Sequence, residues 1–236
     1  MHTSPAATVQ GEAHENPALL HHFATPEQQK DAASLGMWIF LVTEVMFFGG
    51  MFCAYLVYRY WYFGDFAAAS SSIDLTLGTI NTAVLICSSL TVAMAVRCAQ
   101  VGKQKAIAVY LILTIILGIA FLGIKGIEYK QKFDENHVPG LSHFHLDGHV
   151  PRHPDVPVNQ QHAQIYFSLY FAMTGMHALH MIIGVGLFAY LMWKAWKGSY
   201  GPGYYTPLEN GGLYWHFVDI VWIYLFPLLY LIDRHP

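Results

Sequence analysis

The sequence predicts an all-α fold, a polytopic membrane bundle of five transmembrane helices, and three observations carry that reading. Of the 236 residues, 55% are apolar and only 11% are charged, where a soluble domain carries about 25% charged residues. Mean hydropathy is +0.36. The apolar residues gather into five long, continuous runs, whereas the strands of a membrane β-barrel would alternate apolar and polar positions. The same composition excludes a soluble enzyme and a disordered chain. With Lys+Arg at 12 and Asp+Glu at 15 there is no basic excess to hold phosphates, so no nucleic-acid partner is expected.

Residues 1–34 read as a polar, mobile, cytoplasmic N-terminal tail, with Pro5, Pro17 and Pro26 and with His2, His14, His21 and His22. The tail does not look like a signal peptide, because the first apolar run begins near Leu35 and exceeds a signal core in length. Residues 35–236 form the membrane domain. A spanning helix needs about 20 mostly apolar residues, and five stretches supply them. The first, 35–62, has Glu44 as its only charge before Arg59. The second, 75–96, has none. The third, 106–128, has none until Lys125. The fourth, 164–193, has none, and the fifth, 210–232, has only Asp219. Between the third and fourth lies an external loop, 130–163, with four prolines and six histidines (His137, His143, His145, His149, His153 and His162). Without cysteine or a visible second shell, that loop reads as a solvated cap over the helix ends rather than a metal site. No internal repeat is evident, which argues against transporter folds built from inverted halves.

An odd number of spans puts the termini on opposite sides. Lys and Arg divide six to six between the two sides, but Arg97, Lys103 and Lys105 cluster in one short loop on the N-terminal side. That cluster favours an N-terminus inside and a C-terminus outside. Cys53, Cys87 and Cys98 show no paired spacing and read as buried, inert thiols. Trp61, Tyr62, Trp193, Trp196, Tyr204, Tyr205, Tyr214 and Trp215 fall near span ends, as an interfacial aromatic belt would.

Ionisable groups inside a span cost about 3 kcal/mol each on insertion scales, so each needs a reason. Glu44 has Met37, Phe40, Leu41, Phe47, Phe48 and Met51 as helical neighbours. A carboxyl on that apolar face is protonated, paired, or set beside trapped polar matter such as a lipid head group. It is either a proton-carrying or lipid-cleft acid, or a neutral acid bonded to another helix. His177 and His180 share a helix face at a spacing of three, and hydrogen bonds between helices are favoured over metal ligation. His216 and Asp219 have the same spacing and read as interhelical glue, with a proton relay second. Lys125 and Glu128 are expected to snorkel to the interface as an ion pair.

Three stretches in order resemble subunit III of the haem-copper terminal oxidases, the cytochrome c oxidase family. They are Thr43-Glu-Val-Met-Phe-Phe, Thr174-Gly-Met-His-Ala-Leu-His-Met-Ile-Ile-Gly and Tyr214-Trp-His-Phe-Val-Asp-Ile-Val-Trp; Gly126-Ile-Glu-Tyr adds a weaker match. The resemblance covers all five spans. It implies a non-catalytic subunit that binds no haem or copper of its own. Such a subunit packs directly on subunit I, beside subunit II, which hold those cofactors, and it binds structural phospholipid in a cleft. It supports proton uptake and aerobic respiration in a bacterial-type inner membrane. Glu44 would be the cleft acid and Lys194 would stand where an arginine often lies near lipid phosphate. His177, His180, His216, Asp219 and Glu128 would hydrogen-bond between helices. Many family members have two further N-terminal spans that wall the cleft. Here a polar stretch precedes the first span, so the cleft is open, lipid-filled or walled by another subunit. The motif around Glu44 looks closer to the cytochrome c branch than to quinol oxidases or nitric-oxide-reductase-associated subunits.

Overall fold

The computed structural model describes residues 23–140, 144–146, 149–150 and 153–233. His2, His14, His21, His22, His143, Arg152 and Arg234 lie outside them. Among the described residues, six helices and one small hairpin form in the order α1 (Pro26–Trp61), α2 (Phe63–Ser71), α3 (Leu75–Val101), α4 (Gln104–Asp134), β1 (His149–Val150), β2 (His153–Pro157), α5 (Gln160–Trp196) and α6 (Thr206–Tyr230). Five of them, all but α2, are long and apolar enough to cross a membrane. The chain is a multi-pass membrane protein.

The first helix starts inside the stretch assigned to the tail. Thr25 caps it, its hydroxyl accepting from the Gln28 N–H at 3.2 Å while Gln28 Oε1 reaches back to the Ala24 N–H at 2.9 Å. Pro26 occupies the first turn, where its missing N–H costs nothing. Residues 26–34 are therefore helical, not tail. At 36 residues, α1 is about 54 Å long, well beyond an apolar core about 30 Å thick.

Helices α3, α4, α5 and α6 close a ring in which each packs on the next and α6 returns to α3; α1 leans on α5 and α6 from outside. The buried positions of α1, Leu41, Phe48 and Tyr55, recur every seven residues, so it presents one narrow seam. The remainder is apolar and exposed. Cys53 and Cys87 face outward and Cys98 is half-buried. They are not core thiols, because in a membrane an apolar position can face lipid as readily as protein.

The ring is drawn tight around Trp215. A Cβ on Gly118 would sit 2.9 Å from that indole and one on Gly184 would sit 3.0 Å from it. The indole N–H donates to Ser88 Oγ at 3.0 Å. Tyr214 and Trp215 thus belong to the core and not to the aromatic belt, whereas Trp61, Trp193 and Trp196 are exposed as a belt requires. Gly175, by contrast, makes no close approach: its nearest neighbour is Tyr129 Oη at 3.8 Å. Hydrogen bonds between helices join the ring elsewhere, Thr91 to Thr114 at 2.7 Å, Tyr129 to Thr174 at 2.6 Å and Trp222 Nε1 to Thr82 at 3.1 Å.

Pro227 lies near the end of α6, and the last carbonyls of any helix lack partners. Other elements supply donors here. Tyr55 of α1 donates to Leu228 O at 2.5 Å; Ser70 of α2 and Tyr166 of α5 both donate to Leu229 O at 2.7 Å. The short helix α2, absent from the sequence reading, packs chiefly on α5, with Phe66 to Ser70 all buried. Asp65 fixes α2 to the start of α5, accepting from the Asn159 N–H at 3.0 Å and meeting His162 Nδ1 at 2.6 Å, with the Tyr62 ring stacked on the imidazole at 3.7 Å. The His-rich connection folds over this end. Leu146 is buried and clamped to Gln160 by two bonds of 2.9 Å, and Val150 presses on Gly64.

Candidate functional site

Three groups of polar side chains occupy the spans. The first joins α1 to α5. Glu44 Oε2 lies 3.0 Å from His180 Nε2, and His180 Nδ1 lies 2.8 Å from the Met176 carbonyl. A carbonyl only accepts, so Nδ1 carries a hydrogen. Nε2 then either accepts from a protonated Glu44 or donates, as imidazolium, to its carboxylate. In both arrangements one proton sits between the two groups and the pair is net neutral, which suits a low-dielectric position. Phe48 stands edge-on to the imidazole at 5.3 Å, and Tyr214 Oη donates to His180 O at 2.9 Å. Glu44 is the partly exposed member of the pair.

The second group is the most deeply enclosed. Lys125 and Glu128 do not snorkel; they are 2% and 0% exposed. Lys125 Nζ donates to Glu128 Oε2 at 3.1 Å, to Tyr170 Oη at 3.1 Å and to Tyr230 Oη at 2.9 Å. Tyr230 donates onward to Glu128 Oε1 at 2.6 Å, and Tyr170 donates to the same oxygen. Three ammonium hydrogens meet three acceptors, and each phenol both accepts and donates. The Trp222 face lies 5.1 Å from the ammonium. Burial is possible because no member is left unpaired. Spacing identified the charged pair; Tyr170 and Tyr230 were missed, and the one sequence signal for them is that a buried phenol requires a partner.

The third group lies between α3 and α6. His216 Nδ1 is 2.7 Å from Ser89 Oγ. His216 and Asp219 are not paired with each other; each lies against Ser89 of α3. A hydroxyl both donates and accepts, so Ser89 can meet His216 and Asp219 together. The bond expected between helices is absent at His177, whose two ring nitrogens have no hydrogen-bond partner among the described residues. That imidazole packs instead between Phe121 at 5.4 Å and Trp222 at 5.1 Å. His177 and His180, one turn apart, face different neighbours.

Lys194 stands alone, half-buried in the last turn of α5, with Nζ 5.3 Å from the Tyr190 ring centre. It is 14 residues beyond His180, about 21 Å along the axis, so Lys194 and the Glu44 pair do not share one site. Among the described residues no three His, Cys, Asp or Glu side chains converge as metal ligands would.

Five apolar spans whose charges are largely answered by neighbouring helices define a polytopic bundle built for packing inside a membrane. The chain belongs to the cytochrome c oxidase subunit III family, whose model matches residues 20–136 and 160–233. Similar chains include a probable cytochrome c oxidase subunit 3 of Nocardia farcinica, 31% identical over 84% of this chain and 87% of that one. A probable quinol oxidase subunit 3 of Staphylococcus haemolyticus is 30% identical over 84% and 88%. A heme-copper oxidase subunit I+III of Aeropyrum pernix is 30% identical over 93% of this chain, which spans only 25% of that longer protein.

Proposed function

We propose that the chain is the non-catalytic subunit III of a proton-pumping haem-copper cytochrome c oxidase of aerobic respiration. The observation that carries this reading is the family match running through all five spans. The chain docks on subunit I, as the fused subunit I+III relative suggests, and sits beside subunit II. Haem and copper belong to those partners; this chain binds phospholipid. Glu44 lies at acyl-chain depth and Lys194 near the end of its helix, so one lipid can place its phosphate at Lys194 and its tail along α1. The chain stabilises the catalytic subunit and supports proton uptake at the cytoplasmic face of a bacterial-type inner membrane. The N-terminus is cytoplasmic and the C-terminus external, on the argument of the Arg97–Lys105 cluster.

A second reading, subunit III of a quinol oxidase, is supported by the Staphylococcus relative. A nitric-oxide-reductase-associated complex is a variant of it. Purification of tagged protein in mild detergent separates them. A haem spectrum with oxygen uptake from reduced cytochrome c supports the first reading. Uptake from quinol alone selects the second. A colourless, solitary protein overturns both. Within the complex, Glu44→Ala is expected to leave haem content intact and to shorten the active lifetime during turnover. An unchanged lifetime and unchanged bound lipid would remove the role assigned to Glu44.

A further inference from the structure

Arg97, near the end of α3, lines a hollow of about 480 Å³ between α1, α3 and α6, together with Ser34, Gln100, Glu209 and Asn210. Its guanidinium donates to Gln100 Oε1 at 3.3 Å and makes no ion pair among the described residues. Glu209, the acid of the hollow, is answered by Lys30 at 4.0 Å. The hollow shares Ala93 and His216 with an apolar groove of about 430 Å³ that runs on between α3 and α6. We propose that hollow and groove together seat one anionic phospholipid, with its phosphate on Arg97 and one acyl chain along the groove.

Depth, length and charge select this occupant. Arg97 is nine residues from Ser88 at the middle of α3, about 14 Å along the axis. Head groups begin about 15 Å from the midplane of a core about 30 Å thick, and a long basic side chain reaches that level. Leu85, at the far end of the groove, is about 18 Å from Arg97. The groove therefore runs from head-group level to the middle of the bilayer and stops, which is the reach of one acyl chain. A transmembrane helix would need a groove through both leaflets. Its walls suit a tail, since Ile86, Leu90 and Ile220 are all more than half exposed, while His216 and Asp219 turn to Ser89. Charge selects the head group. Lys103 and Lys105 follow Arg97 within eight residues, and basic groups at a membrane surface draw anionic lipid. A guanidinium also meets a phosphate through two parallel hydrogen bonds. Lys194 does not line this hollow, so the seat is separate from the one proposed there.

The proposal rests on the membrane fold and not on the oxidase reading. It is tested on the full chain, purified in mild detergent, with phosphatidylglycerol and phosphatidylcholine added in turn. Native mass spectrometry is expected to show one phosphatidylglycerol per chain held in preference to phosphatidylcholine. Arg97→Gln should weaken its binding about tenfold, and Arg97→Lys should restore part of it. Ala93→Trp, which fills the groove below an intact guanidinium, should remove it, and Lys194→Gln should leave it in place. A photo-crosslinking amino acid at Leu90 should label phospholipid in the membrane. Undiminished phosphatidylglycerol on a folded Arg97→Gln protein overturns the proposal. So do equal retention of the two lipids, displacement of the lipid by inorganic phosphate alone, and crosslinks from Leu90 to polypeptide alone. Loss of the lipid with Lys194→Gln but not with Arg97→Gln would assign it to the Lys194 seat instead.

Discussion

Lys125 is buried inside the bundle, and its three hydrogens are all accepted. Removing one member of such a group leaves the other charge bare, so Glu128→Gln should destabilise the protein by about 3–5 kcal/mol. Tyr170→Phe, which keeps the ring, should cost less, about 1.5–3 kcal/mol. Chemical unfolding in detergent micelles measures both, and a cost below 1 kcal/mol for Glu128→Gln would mean that the ion pair is incidental. The combined variant Lys125→Met/Glu128→Leu should cost clearly less than its single changes summed, because they share one network. Part of this was legible in the chain. Lys125 and Glu128 stand three apart, and helical spacing brings such residues together. Tyr170 and Tyr230 are 45 and 105 positions from Lys125, and periodicity holds no information across such gaps. The same limit explains His177 and Asp219. Their positions inside spans were visible, but which side chains of other helices pack beside them was not.

At the scale of elements, the spans were legible because the bilayer imposes a length and a composition on each of them. Their ends were not, since polar caps extend helices past the apolar run, as Thr25 and Gln28 do for α1. The nine-residue α2 is rich in alanine and serine and carries no periodic signal; its burial is decided by what it touches. Two sets of substitutions test the packing. Gly184→Ala pushes a methyl against the Trp215 ring, which is already hemmed in by Gly118 on α4, and should cost about 1–3 kcal/mol. Gly186→Ala, two residues on, meets nothing within 4 Å and should hold or slightly raise the melting temperature, since alanine favours a helix over glycine. At the end of α6, Leu228 O has one side-chain donor and Leu229 O has two. Tyr55→Phe should therefore destabilise more than Ser70→Ala, which leaves the carbonyl it served still bonded to Tyr166. The reverse order would mean that these bonds do not govern the helix end.

For the whole molecule, the side chains on the outside are as apolar as those within: Leu90, Ile116, Ile182 and Ile220 are all more than half exposed. Inside and outside are separated by polarity of a different kind, since the buried spans hold the carboxylates, imidazoles and hydroxyls. The proposed topology of five crossings puts the two chain ends on opposite sides. An alkaline phosphatase fused after residue 236 is expected to be active outside the cell, and the same enzyme fused before residue 1 to be inactive; the opposite pattern would invert the proposed orientation. One feature bears on how the protein is made. The donors that close the end of α6 come from α1, α2 and α5, all synthesised before it. Until the sixth helix enters, Tyr55, Ser70 and Tyr166 lack the acceptors that they meet in the finished fold. The last helix thus meets donors already present on its predecessors, and its entry is expected to be the step that locks the inserted spans into one bundle. Pulse-labelled chains should gain protease resistance only after α6 has left the ribosome.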